Sequence, residues 1–368
     1  MLLPLNILEL SPGNRAVIVD KATQQFYLLF SDGNHLKMEK RGICTTGKKE
    51  GMKEKAGDKR TPEGVYFCKR LLFPPSLPAK YGPCALPLNY PNLIDRKQKR
   101  GGNGIWIHGI HKNRPTRDTL GCVVLENPDL VYLSKRIHLL TTPIIIVAHT
   151  RFVTEKTRKK RATKDVRFLE HWKHYQVTGN FTSYLACYAS SFTSRDMNLS
   201  RWRDYKRTLF KRYRSLKIQI LNPTIIHTEK YDFIAFKEEL QGKHIRLIGY
   251  KRLYLLPQKT CHRIFGEEWI PFQTIKKSWN VYRRNLTRVK PLKVEYHILG
   301  PTPIPIHIPP MGLHKKIQTF FGLWNPYRGY ETLQQHPYPF QIWSVKKETR
   351  TGRPERHKIT RESGFGSH

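Results

Sequence analysis

The sequence predicts two folded domains of different class: a mainly β domain over residues 15–150, then an α+β cone over residues 165–270. Short apolar runs separated by turn residues fill the first part of the chain. Helical spacing of aromatic residues begins only after residue 165, and strand-like runs follow it. Between the two, residues 151–164 are rich in Lys and Arg and lack apolar periodicity, so they read as an exposed basic linker.

In the first domain the expected strands are Ala16 to Asp20, Gln25 to Phe30, Arg41 to Thr46 and Val65 to Lys69. Gly47 to Arg60, polar and rich in Lys and Gly, reads as a loop. Thr61-Pro62-Glu63-Gly64 is a turn feeding the next strand, since Pro62 presets φ and Gly64 relaxes it. The proline-rich segment Leu71 to Asp95 is expected to form a groove wall or lid. Asn127 reads as the N-cap of a short helix with Pro128 in its first turn. Pro143 to Val147 closes the domain as a buried strand.

The chemistry-bearing stretch lies inside this domain. The apolar run Ile105 to Ile107 ends on His108, and fourteen positions later Gly121 and Cys122 precede Val123 to Leu125. Two strand ends joined by a polar loop can bring an imidazole and a thiol within hydrogen-bond reach. The imidazole then takes the thiol proton and leaves a thiolate nucleophile. Gly121 is expected to let substrate approach, and the Gly121 and Cys122 amides to hold an oxyanion. The backbone at Gly109 is the candidate for orienting His108. A core role for either His108 or Cys122 is the competing reading of the pair alone.

The pattern His108-Gly109 … Thr119-Leu120-Gly121-Cys122 resembles the active-site signature of YkuD-type L,D-transpeptidases. Ala16 to Asp20, Gly57 to Gly64, Tyr81-Gly82 and Leu88 to Asn92 are similar to the same family. The resemblance implies a β sandwich for residues 15–150, with Cys122 as nucleophile and His108 as general base. It further implies peptidoglycan stem peptides as substrate, no metal or organic cofactor, and a periplasmic or envelope location. Tyr81, Gly82 and Trp106 are candidate groove residues or packing residues. Arg114 is a candidate partner for a stem carboxylate or a solvated loop charge, and His111 a solvated loop residue. Two positions depart from the family pattern: Leu120 stands where many members have His, and Val124 where many have Arg or Asn.

In the second part, Val166, Leu169 and Trp172 share one helical face. Phe181, Tyr184, Leu185, Tyr188 and Phe192 suggest a second helix, and Trp202, Tyr205, Leu209 and Leu216 a third. Strand-like runs follow at Lys217, Phe233, Ile245, Leu253 and Arg263. Residues 165–270 are similar to nuclear transport factor 2-like (SnoaL-like) domains, through Trp172, Tyr188, Phe192, Trp202 and Glu267-Glu268-Trp269. The domain order looks like that of the L,D-carboxypeptidases that trim stem peptides and set cell shape. Residues 271–368, with a proline-rich stretch from Pro301 to Pro310 and a basic end, offer no motif.

Composition bounds the partners. The net charge is +38, from 66 Lys and Arg against 28 Asp and Glu, which calls for an anionic neighbour. The basic residues are spread along the chain instead of forming one stripe, which disfavours nucleic acid and leaves an anionic envelope surface. A non-enzymatic polyanion-binding scaffold is the alternative reading. The six cysteines have no C-x-x-C spacing, so no zinc site is expected. No run reaches membrane-spanning length, and the apolar start lacks a basic n-region and a cleavage site.

Overall fold

The computed structural model describes residues 2–110, 117–213, 216–242, 245–256, 262–287 and 289. The chain starts with β1 (Leu2–Pro4) and β2 (Ile7–Leu10). It then builds β3 (Arg15–Asp20), β4 (Gln25–Ser31), β5 (Leu36–Thr45), β6 (Gly64–Phe67) and β7 (Ala85–Pro87). Helix α1 (Leu93–Lys97) follows, then β8 (Trp106–His108), β9 (Val123–Leu125), α2 (Asn127–Ser134) and β10 (Pro143–Val147). These strands make an eight-stranded sheet in the order β6-β10-β3-β4-β5-β9-β8-β7. Cys68, just past β6, bridges to Leu88, just past β7, so the sheet curls until its two ends meet. Both edges are thereby covered.

Strand periodicity sorts the side chains of this sheet. Val17, Val19, Ile144 and Ile146 point into one core with Cys68, Cys84, Ile107, Val123 and Leu130. Their neighbours Ala16, Ile18, Ile145 and Val147 point the opposite way. Burial on both faces explains why β3 and β10, paired in parallel, read as unbroken apolar runs.

The second unit comprises β11 (Phe152–Thr154), α3 (Glu155–Val177), α4 (Phe181–Ala186), β12 (Tyr188–Ser194), β13 (Met197–Asn198) and α5 (Leu199–Arg212). After them come β14 (Lys217–His227), β15 (Asp232–Gly242), β16 (Ile245–Leu256), β17 (Arg263–Pro271) and α6 (Phe272–Leu286). The helices α3, α4 and α5 cover a seven-stranded sheet around Trp172, Tyr184, Tyr188 and Trp202. This is the expected α+β cone. Its core carries a charged knot: Lys251 pairs with Glu238 at 2.9 Å and Glu267 at 3.1 Å.

Several sequence expectations need correction. The basic segment 151–164 is not an exposed linker. Its first residues form β11, paired with β1, and the rest is the start of α3. Arg158 there is buried and donates to the Leu8 carbonyl at 2.5 Å. The segment's charge count resembles that of a solvated linker, but a long-range carbonyl takes a hydrogen bond from the Arg158 guanidinium. Tyr188 and Phe192 lie on a strand, not on the helix begun by Phe181, because α4 stops at Ala186. Leu216 lies beyond the end of α5. The runs at Ile245 and Leu253 are one strand, β16.

The two units also do not separate at a linker. β2 is an edge strand of the cone sheet through β14. Ile18, Val65 and Phe67 of the first sheet share a core with Phe233, Tyr254 and Phe265 of the second. Helix α6, unanticipated in the sequence, returns to the first unit. Its Trp279 ring lies 4.3 Å from that of His138, and the Tyr282 hydroxyl donates to the Ser134 carbonyl.

Candidate active site

The site sits where β8 and β9 run parallel, with Ile107 opposite Val123 and His108 opposite Val124. Side chains alternate along a strand, so His108 projects on the same face as Val124 and as Cys122, two residues earlier. Strand spacing and rise put their Cα atoms about 8 Å apart, a gap that an imidazole and a thiol can close. His108 is buried, while Cys122 is half-buried at the strand entry.

Each member is held by the backbone around it. His108 Nδ1 lies 2.7 Å from the Gly109 carbonyl oxygen, a contact that fixes the ring plane. The Tyr81 ring packs edge-on against His108 at 4.9 Å and tilts over Trp106 at 5.2 Å. Tyr81 and Trp106 are thus both beside the imidazole and half-exposed at the mouth. The Cys122 thiol donates to the Gly104 carbonyl at 3.4 Å. Burial pushes its pKa up, against the opposing pull of the Trp106 amide and the Lys53 ammonium. The resting group is a thiol and needs a base.

The nucleophile turn is pinned from two sides. Thr119 Oγ1 accepts from the Gly121 amide at 3.0 Å and donates to the Cys122 carbonyl at 2.8 Å. Thr61 Oγ1 accepts from the Gly47 amide at 2.9 Å and donates to the Gly121 carbonyl at 3.0 Å. The Gly121 amide is therefore committed inside the protein, and the expectation that it faces an oxyanion is corrected. Nor does Gly121 make room for substrate. Its φ is +129°, and a Cβ there would meet the Arg60 carbonyl oxygen at 2.7 Å. Glycine is required because this chain's own backbone passes so close.

The other expected site residues divide. Gly109 sits against Asn127, whose Oδ1 would be 2.1 Å from a Cβ at that position. Asn127 Oδ1 accepts from the Ile110 amide at 3.0 Å, and Nδ2 donates to the Ile110 carbonyl at 2.8 Å. Asn127 is therefore the first residue of α2, not its cap, and its side chain clamps the exit of β8. Gly82 packs against the same clamp and not into an open groove. Arg114 and His111 lie outside the described residues. Val124 is buried in the ladder, whereas Leu120 is 72% exposed beside the nucleophile, so of the two departures only Leu120 faces an incoming molecule.

Sequence reasoning missed Asn127 as a clamp and Lys53 as a nearby cation. Lys53 is buried and bonded to Asp58 at 2.6 Å, inside what reads as a solvated loop. Thr119 was signalled by the hydroxyl residue two before the glycine.

Comparison with known proteins agrees with this architecture. Residues 14–146 match the YkuD L,D-transpeptidase catalytic domain, and residues 165–268 match the Cds6 C-terminal NTF2-like domain. No curated protein matches the chain. Among solved structures, Bd1075 of Bdellovibrio bacteriovorus is 29% identical with a TM-score of 0.66, over 74% of this chain and 99% of that one. The helical cell shape determining protein Pgp2 of Campylobacter jejuni is 26% identical with a TM-score of 0.57, over 69% and 92%. The chain carries an L,D-transpeptidase-type catalytic domain followed by an NTF2-like domain.

Proposed function

We propose that this chain is a cysteine L,D-carboxypeptidase that trims peptidoglycan stem peptides in the cell envelope. The observation that carries the reading is the placement of His108 and Cys122 on one face of adjacent parallel strands, in a YkuD-type domain. With Nδ1–H given to the Gly109 carbonyl, Nε2 is the nitrogen that takes the thiol proton. The Cys122 thiolate attacks the carbonyl carbon at the L-centre of the diamino acid in a stem tetrapeptide. The developing oxyanion falls to the Cys122 amide, since that of Gly121 is engaged. Collapse expels D-alanine, whose nitrogen receives the proton from His108, and leaves a thioester. Water, deprotonated by His108, then attacks the thioester and releases the tripeptide and the free thiol. Tyr81 and Trp106 form the wall beside the reacting carbonyl.

Hydrolysis is favoured over cross-linking because an acceptor amine must be held within about 3–3.5 Å of the thioester to compete with water. The exposed group beside Cys122 is the apolar Leu120, which offers such an amine no hydrogen bond. The carboxypeptidase-like domain order supports the same reading. The deciding experiment supplies a stem tetrapeptide with excess acceptor stem and follows products by mass. Tripeptide and free D-alanine should accumulate. Stems joined through two diamino-acid residues as the main product would make the enzyme a transpeptidase, and no turnover would sink the enzymatic reading.

A further inference from the structure

We propose that Asp165, Asp232 and His262 form a binding site for a divalent cation such as zinc, which ties α3 to the cone sheet. The three residues come from separate elements: the middle of α3, the start of β15 and the segment just before β17. All three are at least nine-tenths buried, at 1%, 4% and 3% exposure. One ligand atom from each lies within 4.8 Å of the others.

The distances also suit ligands that share one metal ion. His262 Nε2 is 3.2 Å from Asp165 Oδ1 and 3.7 Å from Asp232 Oδ2. Tetrahedral zinc with N and O ligands at about 2.0–2.1 Å separates its ligand atoms by about 3.3 Å. Among the described residues, Asp165 Oδ1 and both ring nitrogens of His262 are buried without a hydrogen-bond partner, so polar atoms converge here without satisfying one another.

Around this set lies the outer support that metal ligands use. The other oxygen of Asp232 is held by His227 Nδ1 at 2.5 Å, and Arg161 lies 3.4 Å from the same nitrogen. A carboxylate fixed by a second residue keeps its ligating oxygen aimed at the cation. A cleft of about 330 Å³, lined in part by Asn6, Arg151, Arg161, His227 and Glu229, lies on the His227 side. The site lies in the second unit and takes no part in the Cys122 chemistry, so it stands independently of the proposed peptidase activity.

The test uses the full chain, stripped with a chelator and titrated with Zn(II) and Co(II). One equivalent should bind, with a rise in melting temperature that chelation reverses. Bound Co(II) should show visible d–d bands without the thiolate charge-transfer band that binding at Cys122 would give. Asp165→Asn and His262→Gln should each lose this uptake at least tenfold, while Cys122→Ala retains it. Failure of the wild-type chain to bind metal or to shift its melting would overturn the proposal. So would a cobalt spectrum of thiolate type only, or unchanged uptake in both site variants. Should the variants not fold, the wild-type melting and spectrum decide the matter alone.

Discussion

Thr61→Val separates the hydrogen bonds at the nucleophile turn from the volume that carries them. Valine fills nearly the same space, but it deletes a donor and an acceptor at a position with no exposure. The Gly47 amide and the Gly121 carbonyl both lose the Thr61 hydroxyl. Each buried group left unpaired costs about 1–3 kcal/mol, so the pair should cost about 2–6 kcal/mol. At roughly 2–4 °C per kcal/mol, the melting temperature should fall by about 4–24 °C. Turnover should fall as well, because Gly121 directly precedes the nucleophile and small displacements there move the thiol from its attack path. A drop of about 10- to 100-fold in kcat is expected, with KM little changed. Thr61→Ser keeps the hydroxyl and should restore both properties to near wild type. Thermal melting and stem-peptide hydrolysis on the three proteins read the result. A Thr61→Val protein that melts and turns over like wild type would refute the coupling of this turn to Cys122.

Cys122→Ala should abolish turnover and leave the melting temperature within about 1 kcal/mol equivalent, since one half-buried thiol is removed; this is read by product analysis and melting. His108→Ala should lower kcat by about 10²- to 10⁴-fold at neutral pH. Because burial raises the Cys122 pKa, the thiol in that variant ionises only as pH rises, so activity and alkylation should recover on the alkaline side. Equal alkylation rates at neutral pH with and without His108 would remove the base assignment. Limited digestion with a Lys/Arg-specific protease should spare residues 155–164, because Arg158 is buried and the segment is helical. Rapid first cleavage there would restore the linker reading.

Much of this protein is written in local pattern. The apolar runs of β3 and β10, the turn residues between short strands, and the His-Gly … Thr-x-Gly-Cys spacing are short-range features. Each is fixed by strand alternation or by what a glycine and a thiol can do. The class of both domains and the identity of the candidate nucleophile follow from them. What the sequence could not supply are pairings across long separations. Thr61 meets Gly121 sixty residues away, and Arg158 meets Leu8 across 150. A basic segment reads as a linker until the Arg158 guanidinium is seen to bond a carbonyl of a distant strand. Gly121 reads as an oxyanion donor until Thr119 is seen to hold its amide. Asp165, Asp232 and His262 carry no spacing that a metal motif would use, since α3, β15 and the segment before β17 bring them together only when the cone closes. Local propensity decides which elements form. The burial of each polar group, and hence its partner and its role, is decided by which elements the folded chain lays against it.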